Sequence, residues 1–147
     1  MLESNWNDDH FRISSLRESQ LESVLEIGQK LVTLANQGRW LDAIHSLYSP
    51  EIVSIEACAP PGKSPRCTGL AAVIAKTDWF MASHEIHSSE ARGPFPNKDR
   101  FTVFFKLDLT AKTGPMAGKR FTIEEAALYT VKNGKIVKEE FFYNRGG

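Results

Sequence analysis

Cysteine is scarce: Cys58 and Cys67, at the two ends of "CAPPGKSPRC", are the only two in the chain. Two thiols so close in sequence can close at most one small loop, which cannot staple a fold. They are also too few for a structural metal site, and no neighbouring residues complete a ligand set, so free thiols and no metal are expected. An excess of either charge is missing as well, because Lys plus Arg is 18 and Asp plus Glu is 18. Nucleic-acid binders carry a basic face, and without a Lys/Arg run no nucleic-acid partner is expected. No apolar run approaches the roughly 20 residues of a membrane helix. The opening "MLESNWNDDHFR" is acidic and polar, unlike a leader peptide. No membrane association and a cytoplasmic location are therefore expected. A Gly-rich phosphate loop, a nucleophile elbow and metal-binding helix signatures are all absent, which argues against phosphoryl transfer, elbow-type serine hydrolysis and zinc chemistry.

What is present fits one domain of 147 residues, long enough to bury a sizeable core. Residues 1–14 read as a loose polar arm and residues 15–147 as a single domain. "SLRE" at Ser15–Glu18 matches a capping box. After it, Leu21, Val24, Leu25, Gly28, Leu31, Val32 and Ala35 recur at helical spacing, and Gly38 reads as the C-cap. Trp40, Ala43, Ile44 and Leu47 give a short second helix that stops before Pro50. "EIVSIEA" is a β-branched strand, and a Pro/Gly loop leads to Arg66. Leu70, Val73, Ile74, Thr77, Phe80 and Met81 give a third helix. The period then changes: "HEIHSSEARG" reads as a strand, "PFPNKD" as a turn and "RFTVFFKLDLT" as a long strand. Helices first and a long antiparallel sheet last predict an α+β domain, with helices on one sheet face.

The last segment, "FTIEEAALYTVKNGKIVKEEFFYN", carries the most information. Asn133-Gly134 is the strongest short hairpin signal, since both turn positions need positive φ. A regular two-residue hairpin pairs Tyr129 with Lys138, Ala127 with Glu140 and Glu125 with Phe142. The strand before it has an apolar face of Phe101, Val103, Phe105, Leu107 and Leu109. Joining the apolar faces sets Leu109 opposite Phe121, Phe105 opposite Glu125 and Lys106 opposite Glu124. Glu124 and Glu139 then face solvent, while Glu125 and Glu140 sit on the apolar face as diagonal neighbours about 5–8 Å apart. Two carboxyls so placed cannot both ionise cheaply, and one should hold its proton near neutral pH. The competing reading is that Lys138 neutralises both at the sheet end, and a bulge in either strand would reverse the facing.

Around these acids, Tyr129 and His87 are the candidate hydrogen-bonding groups. Phe105, Phe121 and Phe142 supply aromatic area, and Trp79 flanks the third helix's apolar stripe. Glu56 either is a loop-edge charge or lines a cavity mouth. His84 and His87 are three apart on one strand, face opposite ways and cannot share a metal. Tyr48 reads as a packing residue.

The order of parts, helix–"NQGRW"–"LYSPEIVSIEA"–"TGLAAVIAKTDWF"–strands–"LYTVKNGKIVKEEFFYN", resembles the SnoaL-like domains of the nuclear transport factor 2-like superfamily over residues 18–144. The resemblance implies a cone, a strongly curved antiparallel sheet wrapped around three helices with a pocket at the open end. It also implies homodimers paired through the outer sheet face, here Phe104, Ala126, Leu128, Val137, Phe141 and Tyr143. The superfamily's enzymes, isomerases, cyclases and (de)hydratases among them, use acid/base side chains and no cofactor. SnoaL-type cyclases use a catalytic Asp with a supporting His on the sheet; the matching strands here offer Glu125 and Glu140 with His87. The resulting expectation is a small apolar ligand, handled either by a cofactor-free acid/base enzyme or by a binding protein without turnover. A protein-interaction module using the outer face is the remaining alternative.

Overall fold

The structure, a computed structural model, describes residues 5–144. Three helices, α1 (Asn5–Asn36), α2 (Trp40–Leu47) and α3 (Leu70–Ser83), lie with six strands: β1 (Tyr48–Ile55), β2 (Arg66–Thr68), β3 (His84–Asn97), β4 (Arg100–Ala111), β5 (Arg120–Lys132) and β6 (Lys135–Phe142). Helix α1 starts earlier than expected. Nothing between Asn5 and Ser15 breaks a helix, so residues 5–14 are helical rather than a loose arm, and the capping-box motif falls inside the helix. The first four residues of that arm lie outside the described residues. The α1 C-terminus behaves as read: Gly38 takes φ 70°, and the Gly38 and Arg39 amides donate back to Ala35 and Leu34 carbonyls. Among the described residues no helix is long and apolar enough to cross a membrane.

The strands form one sheet in the order β2-β1-β6-β5-β4-β3. All pairs are antiparallel except β1–β6, which is parallel, so the sheet is mixed rather than antiparallel throughout. "PFPN" is not a turn. It extends β3, and the chain reverses at Lys98–Asp99, where Lys98 has φ 59°. The β4–β5 register is the expected one, with Leu109 opposite Phe121, Phe105 opposite Glu125 and Lys106 opposite Glu124. Cross-strand burial follows: Val103, Leu109 and Ala127 are fully buried on one face.

That inner face packs on the helices. Val24, Ile27, Leu31 and Ala35 form the buried stripe of α1, and Ala43, Ile44 and Leu47 that of α2. Gly28 lets α1 approach the sheet closely, since a Cβ there would lie 2.6 Å from Pro94 Cβ and 3.2 Å from Phe101 Cδ2. The end of α1 is tied down by Asn36, whose amide donates to the Ala91 carbonyl at 3.0 Å and accepts from the Ala91 amide at 2.8 Å. Asn36 thus satisfies backbone groups of β3 that would otherwise lack partners.

One irregularity decides what the sheet presents inside. Val131 pairs with Ile136, but Thr130 pairs with Lys138, so Val137 is bulged out of the ladder. Beyond it Tyr129 faces Glu139, Leu128 faces Glu140 and Ala127 faces Phe141. Every β6 side chain past the bulge is therefore on the opposite face from that expected of a regular hairpin. Glu139, Phe141 and Tyr143 turn inward; Glu140 and Phe142 turn outward.

Candidate active site

Glu139 is the centre of the inner face, with only 2% of its surface exposed. Strand β1 runs parallel beside β6, pairing Ser54 with Glu139, so the Ser54 hydroxyl lies next to the carboxyl and donates to Oε1 at 2.7 Å. Tyr48, at the head of β1, donates its hydroxyl to Oε2 in a short hydrogen bond. Both carboxyl oxygens thus have a donor. Burial nevertheless pushes the Glu139 pKa above its ordinary range, while the Tyr48 bond, the Lys76 charge and the Ser54 bond oppose that rise.

Lys76 reaches in from α3. Its ammonium donates to Ser54 Oγ at 2.6 Å and to Glu56 Oε1 at 2.7 Å, and lies 5.2 Å from the Phe141 ring centre. Glu56, just past β1, also accepts from the Tyr143 hydroxyl at 3.0 Å through its other oxygen. The Cys58 thiol donates to the Tyr143 oxygen at 3.7 Å. The chain Tyr143–Glu56–Lys76–Ser54–Glu139–Tyr48 runs from half-buried groups to fully buried ones. Burial first, then the Glu56 charge, pushes the Tyr143 hydroxyl well up; burial and the Glu139 charge do the same to Tyr48 and Tyr129. All three tyrosines are therefore neutral donors at physiological pH.

Glu125 completes the set from β5 and is held differently. Among the described residues, its carboxyl makes no side-chain hydrogen bond and no ion pair. Burial raises its pKa to about 7, with the Glu56 and Glu139 charges adding to the rise and Lys76 opposing it. Two acids thus occupy one face in contrasting environments. Glu139 is anchored by two donors, and Glu125 is half-buried without a partner. Such a contrast separates a fixed electrostatic group from one free to exchange a proton.

The SnoaL-like domain profile matches residues 23–143. The chain belongs to the SnoaL-like domain family. Among solved structures, it is 37% identical to a candidate SnoaL-like polyketide cyclase (also labelled a carbohydrate phosphatase) from Mesorhizobium loti. That match has a TM-score of 0.74 and covers 80% of this chain and 97% of the other. A protein of unknown function with a cystatin-like fold from Xanthomonas campestris matches with TM-score 0.61 at 18% identity, covering 82% and 89%. An LEH-like epoxide hydrolase from M. tuberculosis matches with TM-score 0.59 at 10% identity, covering 85% of each chain. The last two establish shared fold alone, cystatin-like in the first of them. No protein with a curated description matches the chain.

In this SnoaL-like domain the expected residues are distributed unevenly. Glu125, Glu56 and Tyr129 are brought to the inner cluster, with Tyr129 stacked on Phe101 at 4.9 Å. Phe105 is buried opposite Glu125, and Phe121 is half-buried in a T-shaped contact with His84. Glu140 is not in the cluster: the Val137 bulge turns it outward, where it pairs with Lys138 at 2.6 Å. The same bulge leaves Phe142 outward and 53% exposed. His87 sits in a register shift of β3 and contacts Thr110 Oγ1 at 2.6 Å on the outer face; His84 faces inward instead, stacked on Phe80. Trp79 is 63% exposed on α3. Phe141 and Tyr143, expected on the outer face, are inside.

Four members of the cluster were not anticipated: Glu139, Lys76, Tyr48 and Ser54. Lys76 carries a legible signal, since it is one helical turn from buried Val73 and four residues before Phe80, on the inward side of α3. Ser54 and Tyr48 depend on the parallel β1–β6 pairing, which no local pattern announces. Among the described residues no group of three or more His, Cys, Asp or Glu side chains is arranged to hold a metal ion.

Proposed function

We propose that this protein binds a small, uncharged, largely apolar molecule at the inner cluster and catalyses proton transfer on it without a cofactor. Glu125 is the general acid/base. The observation that carries the reading is its half-buried carboxyl, with a pKa raised to about 7 and no side-chain partner among the described residues, beside the fully anchored Glu139. A catalytic acid/base is most effective when its pKa lies near the working pH. Glu139, with its Tyr48 and Ser54 donors, fixes the local charge, and Phe105, Phe121 and Phe141 supply apolar contact. The chemistry fitted by one mobile proton beside neutral phenols is isomerisation, aldol-type cyclisation, hydration or dehydration.

Thermal-shift screening of neutral ketones, lactones and epoxides should find stabilising ligands, and the hits should then be followed for turnover. Glu125→Gln should abolish turnover and keep binding. Turnover that survives this substitution, or stabilisation by nucleotides in place of neutral carbonyl compounds, refutes the reading. A ligand that binds with no pH-dependent turnover would favour a carrier instead.

The outer face supports a homodimer as the working assembly. Phe104, Leu128 and Phe142 place apolar surface there, interleaved with the Lys106–Glu124 and Lys138–Glu140 ion pairs. Leu128→Lys combined with Phe142→Lys should yield monomers by light scattering, and a dimer that persists places the interface elsewhere.

A further inference from the structure

We infer that Lys76 is the positioning residue of this site: its ammonium ties Glu56 to Ser54 and, through Ser54, holds the Glu139 carboxyl, so one cation on α3 balances the acids of three strands. The inference rests on the proton-transfer reading of Glu125.

The geometry is specific. Lys76 donates to Ser54 at 2.6 Å, and Ser54 donates onward to Glu139 at 2.7 Å, so the hydroxyl is oriented by accepting from one and donating to the other. The ammonium's second hydrogen bond goes to Glu56, and Phe141 is beneath it. Phe141 stands opposite Ala127, the inner-face residue between Glu125 and Tyr129. The cation is therefore over the part of the sheet that separates Glu125 from Glu139.

Among the described residues no second cation reaches this cluster. From β1 and the residue just past it the face receives Tyr48 and Glu56, from β5 Glu125 and Tyr129, and from β6 and the residue just past it Glu139 and Tyr143. Strand β4 turns only apolar side chains inward from Phe101 to Leu109, and the described buried side chains of α1 and α2 are apolar. His84, at the start of β3, is bonded through Nδ1 to the Phe80 carbonyl at 2.9 Å. Lys138 points outward to Glu140. With Glu56, Glu125 and Glu139 on one side of the balance and Lys76 on the other, removing the ammonium leaves three acids with no cation among them. Glu125 and Glu139, both of which Lys76 helps to ionise, then hold their protons more tightly.

The test is a carbon-detected titration of Glu side chains in the wild-type protein and four variants. In the wild type Glu125 should titrate at about 7. Lys76→Met should raise its midpoint by about one pH unit or more, the effect of losing a nearby opposite charge. Lys76→Arg keeps the charge and should leave the midpoint near the wild-type value. The double variant Glu56→Gln with Lys76→Met loses an acid and the cation together, and should return toward wild type. An unmoved midpoint in Lys76→Met, or an equal shift in Lys76→Arg, overturns the inference. Should Lys76→Met fail to fold, Glu56→Gln alone decides: the lysine is then less opposed, Glu125 should titrate lower, and no change overturns the inference. A wild-type Glu125 that titrates at its ordinary 4.5 would instead sink the proton-transfer reading itself.

Discussion

Replacing Glu125 with Gln turns a titrating group into a neutral one of the same shape, and the consequence for stability can be worked out. In the unfolded chain the acid has its ordinary pKa of 4.5, and in the folded protein about 7. Between those values the folded state keeps a proton that the unfolded state has lost. The folded pKa is the higher one, so the stabilisation is complete below pH 4.5 and is lost as the pH rises to about 7. At 1.36 kcal/mol per pH unit, the rise from 4.5 to about 7 amounts to roughly 3 kcal/mol, less to the extent that water reaches the half-buried group. Glu125→Gln escapes this loss. The variant should gain on the wild type steadily across that window and keep a constant advantage above it. Urea denaturation of both proteins at a series of pH values, at one fixed protein concentration, measures the difference directly. Contributions from Glu139 and the surface acids are common to both and largely cancel. Glu124→Gln, on the outer face beside Lys106, should show no such trend. A difference curve that is flat for Glu125→Gln would mean that this carboxyl is as well hydrated folded as unfolded, and the assignment of the site would fall with it.

Two further substitutions test the supports of the site. Tyr48→Phe removes the donor to Glu139 Oε2 and leaves a buried acceptor unpaired, which should destabilise the protein by about 1–3 kcal/mol in urea melts, most at high pH where Glu139 ionises. Gly28→Ala should also destabilise, by about 1–3 kcal/mol, because its Cβ would meet Pro94 Cβ at 2.6 Å and Cγ at 2.8 Å. The helix-propensity gain of about 1 kcal/mol from Gly to Ala does not offset that clash, so a net stabilisation would show that α1 moves freely on the sheet.

Much of the architecture was readable because it rests on local periodicity. The stripes of α1, α2 and α3, the glycine cap at Gly38, the Asn133-Gly134 turn and the β4–β5 register all follow from alternation and turn chemistry. Glu125 was identified as the inward acid for the same reason. The acid on β6 was misassigned because a bulge has no reliable sequence signature, and one extra residue exchanges the two faces for everything beyond it. His87 was misassigned for another reason: alternation puts it on the face opposite His84, and His84 is the inward one of the two. Ser54 and Tyr48 were out of reach for a different reason: β1 and β6 are more than 80 residues apart in the chain, and their parallel pairing is set by packing rather than by a turn.

The bulge itself yields a prediction in which the inward acid can be decided. Val131 pairs with Ile136 and Thr130 with Lys138, so Val137 is the residue in excess. Deleting Val137 makes Lys138 follow Ile136 directly, and the two-residue turn then continues as a regular ladder. Alternation from inward Ile136 places Lys138 outward and Glu139 inward, the arrangement already present. The deletion should therefore spare the site, at the expense of local twist and of the half-buried Val137 side chain. In a side-chain titration of the deletion variant, Glu139 should retain a raised pKa and Glu140 should remain the outer partner of Lys138. Substituting each acid with Gln identifies its resonance. If Glu140 became the acid with the raised pKa after the deletion, the pairing beyond the turn would not be set by the Asn133-Gly134 hairpin, and the register on which Glu139 owes its place inside would be wrong.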